Sequence, residues 1–405
     1  MKLSNYLLAM ISLASVLAVI ETSLHIMNYP RTPEIGWRWD QSPYASADNK
    51  NDGYINQFGL RGRNIEYGED DFVIVLLGDS QVEAGLHSAE KLPEILLEAE
   101  LCQLLHSRHI KVFSVASAGW GQDQQLTWLR HYFDSYRADL VLAWTTPVND
   151  YWENTFVDRS VERVAGKLKP TFRIDDDKLV PVVLFRFESK LLNLFRLAIA
   201  RGSGNKTFTL EQIYSDRWQA ALPSPDGKAS SKGQCPVLEI LEKDLIESFV
   251  AGSRSFTLVT DEDVENGRSH FSPFLKKMSE RDNYSIAITH RLFEEIANLS
   301  RAKGAQFRIF HPYRSDLDGA FREIKCVKTL AKGQYFEFDG SDWLRYLRQS
   351  NLKNELLTVD IIDSHPMNVA RSDWHLSYEG NTRAMGMLAN SLVKTGLVEL
   401  QVRKR

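Results

Sequence analysis

Gly78-Asp79-Ser80 closes one apolar run, Gly119 follows a second, Asn149-Asp150 a third, and Asp373-Trp374-His375 stands near the end of the chain. A serine hydroxyl attacks an ester only when a base removes its proton, and the tetrahedral oxyanion that forms needs donors already aimed at it. These residue types supply each part. Ser80 is the candidate nucleophile, His375 the general base and then acid, and Asp373 the carboxylate that holds the imidazole tautomer. The backbone N–H groups of Ser80 and Gly119, with the Asn149 side-chain amide, form the expected oxyanion hole. The chemistry so specified is acyl transfer through a serine. Singly, each piece is ordinary: Gly119 reads as a turn glycine, Asn149-Asp150 as a helix cap, and His375 as one of ten histidines. Their order and their placement after apolar runs carry the reading.

Such side chains meet only if the strands before them are parallel neighbours, because loops at the carboxyl ends of parallel strands converge on one crevice. Phe72 to Leu77 is a continuous apolar run, as a strand buried on both faces requires. Lys111 to Ala116, Leu140 to Thr145 and Gln306 to Phe310 read as further strands. Helices are expected over Lys91 to Leu105, over Leu126 to Phe133, and along the face marked by Ile288, Leu292, Ile296 and Leu299. Alternating strand and helix is the grammar of an α/β fold. Between these halves, residues 151–281 form an insertion. Within it, Thr171 to Ile174 and Leu179 to Val183 flank Asp175-Asp176-Asp177-Lys178 as a hairpin, Leu191 to Ala198 suggests a short helix closed by Gly202, and Leu222 to Gly233 reads as a loop. Three consecutive acids on a turn point in different directions, so Asp175 to Asp177 is read as a solvated turn.

At the amino terminus, Lys2 precedes an uncharged apolar stretch from Ser4 to Ile20. Crossing roughly 30 Å of hydrocarbon requires continuation past Glu21 through Leu24, Ile26 and Met27. An uncleaved anchor is expected, with a cleaved signal peptide as the rival and the body outside the cytoplasm of a bacterial cell. The 405-residue chain has 43% hydrophobic and 25% charged residues and a net charge of −4, so it is globular and carries no basic stripe for nucleic acid. Cys102, Cys235 and Cys326 fit neither a zinc knuckle nor a disulfide-dense scaffold, and one bridge, Cys235 to Cys326, is open to them. Neither a metal nor an organic cofactor is expected at the site. Trp120, Trp152 and Trp374 adjoin Gly119, Asn149 and His375 and are candidate walls of a substrate pocket, although indoles serve equally as sheet-end core.

The four blocks Gly78 to Gly85, Ser114 to Gly121, Val148-Asn149-Asp150 and Asp373 to Gly380 resemble those of the SGNH/GDSL hydrolase superfamily, which supply Ser, Gly, Asn and His in that order. The resemblance is strongest to its membrane-tethered extracytoplasmic branch, in which an anchor, an Asn-x-x-Gly-Leu-Arg loop like Asn56 to Arg61, and a long insertion recur. Relatives there add or remove O-acetyl groups on polysaccharides. Pro147 stands where the family usually has a glycine, Ser114 where it often has an asparagine, and Ser372 where the acid often lies, which leaves Asp373 as the matching carboxylate.

The resemblance implies a three-layer, flavodoxin-like parallel sheet: an anchor over 1–30, a tether and entry loop over 31–71, a catalytic domain over 72–150 and 282–398, and the insertion. It implies a serine esterase or acyltransferase acting on an O-acyl ester, foremost O-acetyl, of a carbohydrate or envelope molecule, with the membrane and an envelope protein as partners. A non-catalytic envelope assembly or carbohydrate-binding protein that keeps the fold is the alternative, since fold does not fix function.

Overall fold

In a computed structural model of the protein, residues 2–27, 54–155, 171–182, 189–192, 226–228, 235–236, 269–313, 322–329, 333–361 and 375–398 are described. The expected helix at Leu191 to Ala198 is described only at Leu191 and Leu192, which are helical, and its remainder with Gly202, the pair Asp373-Trp374 and most of the loop at Leu222 to Gly233 lie outside the described residues.

Apolar strands β1 (Phe72–Gly78), β2 (Ile110–Ala116) and β3 (Leu140–Trp144) join β7 (Gln306–Tyr313) and β10 (Leu356–Asp360) in one sheet of order β10-β7-β3-β1-β2, with every described pairing parallel. Counting only these five, the order is 2-1-3-4-5, the flavodoxin-like winding, whose direction reverses between β1 and β3. Alternation along β1 divides the core: Phe72, Ile74 and Leu76 face one side, and Val73, Val75 and Leu77 the other.

On the first side lie α3 (Pro93–Leu105) and α7 (Tyr378–Lys394), through Leu97, Leu101, Ala384, Met385 and Leu388. On the second lie α4 (Gln122–Tyr136) and α6 (Glu280–Ala302), through Leu126, Leu129, Phe133, Ile288, Leu292 and Ile296. Each buried Leu, Ile or Phe contributes about 1.5–3 kcal/mol. The caps follow the sequence. Ser279 accepts the Asp282 N–H at the start of α6 and Ser377 the Gly380 N–H at the start of α7.

Within the insertion, β4 (Thr171–Asp175) and β5 (Lys178–Val182) form the expected hairpin, joined by Asp176 and Asp177 at φ 45° and 58°. Positive φ at both turn residues suits the right-handed twist of the strands. Part of the segment read as loop is a strand, β6 (Gly227–Lys228). It pairs with β9 (Gln334–Glu337), which also pairs with β8 (Cys326–Lys328). Backbone pairing with a distant strand overrides the local Pro, Gly and Ser content there. Cys235 and Cys326 are joined by a disulfide that ties the insertion to β8.

The first helix, α1 (Lys2–Ile26), spans 25 residues, or about 37 Å at 1.5 Å per residue. Leu8 to Ile26 is long and apolar enough to cross a membrane, and none of it is buried against the body. Met10, Ile11, Leu13, Val16 and Val19 are exposed around the helix, which excludes a core helix of a soluble fold. Glu21 meets the insertion, accepting from Ser189 Oγ at 2.8 Å and from the Lys190 and Leu191 N–H groups at 2.7 and 2.9 Å.

Candidate active site

Strand β1 ends at Gly78 and the chain turns into a single helical turn, α2 (Ser80–Glu83). A Cβ on Gly78 would stand 2.2 Å from Val82 Cγ2, so the turn closes only over a hydrogen atom. Asp79 caps α2, its Oδ1 accepting the Gln81 N–H at 2.8 Å. Ser80 therefore sits at the carboxyl edge of the sheet, beside the reversal of winding.

His375 comes from the segment just before α7. Its Nε2 lies 2.8 Å from Ser80 Oγ across 295 residues of sequence, and both side chains are largely buried. With Nε2 as acceptor, the geometry is that of a serine whose proton a base can take. The segment is held on both sides of the contact: the Leu376 N–H donates to Gln81 Oε1 at 3.2 Å, and Asn381 Nδ2 to Leu376 O at 3.4 Å.

Asn149 lies on α5 (Pro147–Glu153), which follows β3. Its Nδ2 donates to Asp79 Oδ2 at 3.4 Å, which brings the amide to the residue preceding the serine. Pro147 occupies the first position of α5, where a missing N–H costs nothing, so the departure from glycine is absorbed by the helix start. Asp150 is fully buried. Thr145 Oγ1 and the Thr146 N–H donate to its Oδ2 at 2.5 and 2.9 Å, and burial, reinforced by Asp79, pushes its carboxyl up to about 7. From the insertion, His270 Nδ1 donates to Val148 O at 3.2 Å and braces the same helix.

Gly119 follows β2 with φ 73°, a conformation that favours glycine. Ala118 just before it donates its N–H to Glu83 Oε2 at 2.7 Å. Ser80, Gly119, Asn149 and His375 thus all stand at the carboxyl end of the sheet, with the Ser80–His375 contact direct and Asn149 linked through Asp79.

Trp120 is placed differently from the expected pocket wall. It is fully buried, packs on Trp128 at 5.6 Å between ring centroids, and belongs to the core under α4. The α4 helix begins two residues later and turns the indole inward, so Trp120 does not face the cleft. Trp374 and Asp373 lie outside the described residues, as does the side chain of Trp152. The cleft beside Ser80 is lined instead by Gln81, Ala84, Leu86, His87 and Leu376. His87 and Glu83 carried no signal of their own in the sequence beyond lying in or near the first block.

Solved structures with some similarity include an acetyl xylan esterase, AlAXEase, at 12% identity and TM-score 0.27, covering 79% of this chain and all of that one. A GDSL-like lipase from Parabacteroides merdae ATCC 43184 has 13% identity and TM-score 0.24, covering 81% of this chain and 99% of the other. No family model and no curated protein matches the chain. The fold itself is α/β, built on the parallel sheet described above with an apolar amino-terminal helix beside it.

Proposed function

We propose that this protein is a serine-dependent esterase or acyltransferase that handles an O-acyl ester, O-acetyl foremost, of a carbohydrate or envelope molecule. The observation that carries this reading is the 2.8 Å contact between His375 Nε2 and Ser80 Oγ at the carboxyl edge of a parallel sheet. Attack of Ser80 Oγ on the ester carbonyl passes its proton to His375, which returns it to the departing alkoxide. Water or a second hydroxyl then takes the acyl group from the serine by the reverse steps. The Ser80 and Gly119 N–H groups and the Asn149 amide receive the oxyanion, and Asp373 holds the imidazole from its other nitrogen. The apolar helix α1 and the disulfide support a body displayed outside the cytoplasm, held at the inner membrane.

The test uses the full chain in detergent, with a fluorophosphonate probe and short acyl esters. Wild type should label and turn over. Ser80→Ala and His375→Ala should lose both, and Asn149→Ala should lose about a hundredfold in kcat. Turnover retained in Ser80→Ala would sink the proposal.

A further inference from the structure

The loop before β1 reaches into this site. Asn56 Oδ1 accepts the N–H groups of Phe58 and Leu60, each at 3.0 Å, and Ile55 bridges Arg61, closing a tight turn. Phe58 stacks on Tyr132 at 4.6 Å between centroids and fastens the turn to α4. The turn delivers Arg61, only 9% exposed, beneath the cleft. There Nη1 donates to Gly85 O at 3.3 Å and Nη2 to His87 O at 2.5 Å. His87 Nε2 donates in turn to Leu376 O at 2.9 Å, the residue after His375.

Glu83 completes the arrangement. It lies on the same helical turn as Ser80, is buried, and accepts the Ala118 N–H next to Gly119. Titratable and charged groups on neighbouring segments act on it: Arg61 from the loop before β1, His375 from before α7, and Asp79 from the turn after β1. Arg61 therefore holds the backbone after Ser80, Glu83 holds the backbone before Gly119, and His87, fixed by Arg61, reaches the segment of His375. A planar guanidinium can hold two carbonyls at once, which an ammonium point charge does poorly. A buried carboxylate is kept because it is bonded and balanced.

We propose that Arg61 and Glu83 are positioning residues: Arg61, through Gly85 and His87, and Glu83, through Ala118, set the spacing between the Ser80, Gly119 and His375 segments. This rests on the acyl-transfer reading above. Burial pushes the Glu83 carboxyl up to about 7, against the Ala118 N–H, Arg61 and His375. Its ionised form is the one that balances Arg61, so the acid side of the pH profile depends on Glu83 as well as on the base.

The experiment follows fluorophosphonate labelling of the full chain in detergent across pH, separating the maximal inactivation rate from probe affinity, with thermal unfolding of each variant as a check on folding. Glu83→Gln keeps the size and an acceptor but not the charge, and Arg61→Lys keeps the charge but not the fork. Each should lower the maximal rate about tenfold or more with affinity nearly unchanged, since small misplacements of reacting groups act on the rate. Glu83→Gln should also remove one of two ionisations from the acid limb. If either variant fails to fold, the other decides. Wild-type rate and pH limb in a folded variant would overturn this inference alone. Absence of labelling in wild type would overturn the acyl-transfer reading, and the positioning roles with it.

Discussion

Asp150 shows at the scale of one residue what holding a site together costs. Its carboxyl is raised from 3.8 to about 7, chiefly by burial. Between those values the folded protein keeps a proton that the unfolded chain has released. The unfolding free energy therefore falls as pH rises through that window and levels off above it. Glu83 acts in the same sense. Asp150→Asn cannot ionise, yet its amide oxygen can still accept from Thr145 and Thr146. Urea unfolding at about pH 4.5 and about pH 7.5 should show wild type losing roughly a few kcal/mol more than Asp150→Asn between the two. Equal losses would show that Asp150 is not held protonated. Neither buried acid was legible in the sequence, because burial comes from neighbours: Asp150 accepts from Thr145 and Thr146, and Glu83 from the Ala118 N–H on another segment.

Among the elements, the turn from β1 into α2 is the piece on which the serine depends. Its sequence, Gly-Asp-Ser after an apolar run, was readable as a strand end, but the reason for the glycine lies in Val82 folding back over it. Gly78→Ala should destabilise the protein by about 1–3 kcal/mol through overpacking. Combined with Val82→Ala, it should cost less than the two substitutions summed, because the clash is removed. A double-mutant cycle by urea unfolding measures this, and strict additivity would contradict the close approach. The strands and the helices over the sheet were legible from apolar runs and 3.6-residue periodicity. The three-residue extension of α4 past Phe133, to Tyr136, was not, since it rests on Tyr136 packing beside Phe113 and Phe58.

For the molecule as a whole, the Cys235–Cys326 disulfide closes a span of 91 residues across the insertion boundary. Opening it frees a long loop in the unfolded chain, so reduction or Cys235→Ser should cost about 2–5 kcal/mol in thermal unfolding. Ser80 labelling at low temperature should persist, since neither cysteine lines the cleft. An unchanged melting profile after complete reduction would show that the bridge does not hold the insertion to the body. At this scale the apolar amino-terminal helix and the alternation of strand and helix were apparent from the sequence. The contact of Glu21 with Ser189 to Leu191 was not, because it joins residues far apart in sequence.

Patterns with a short period are written in neighbouring residues: the apolar runs of the strands, the uncharged stretch of α1, the Asp176-Asp177 turn and the order of the Ser, Gly, Asn and His blocks. Hydrophobicity and turn preference act locally, so the sequence by itself determines these. The 2.8 Å approach of His375 to Ser80, the burial of Trp120 and the bonds from Arg61 to the Gly85 and His87 carbonyls are decided by tertiary structure alone. They depend on strand order in the sheet and on which way each helix turns its side chains, and those are settled only when distant segments pack against one another.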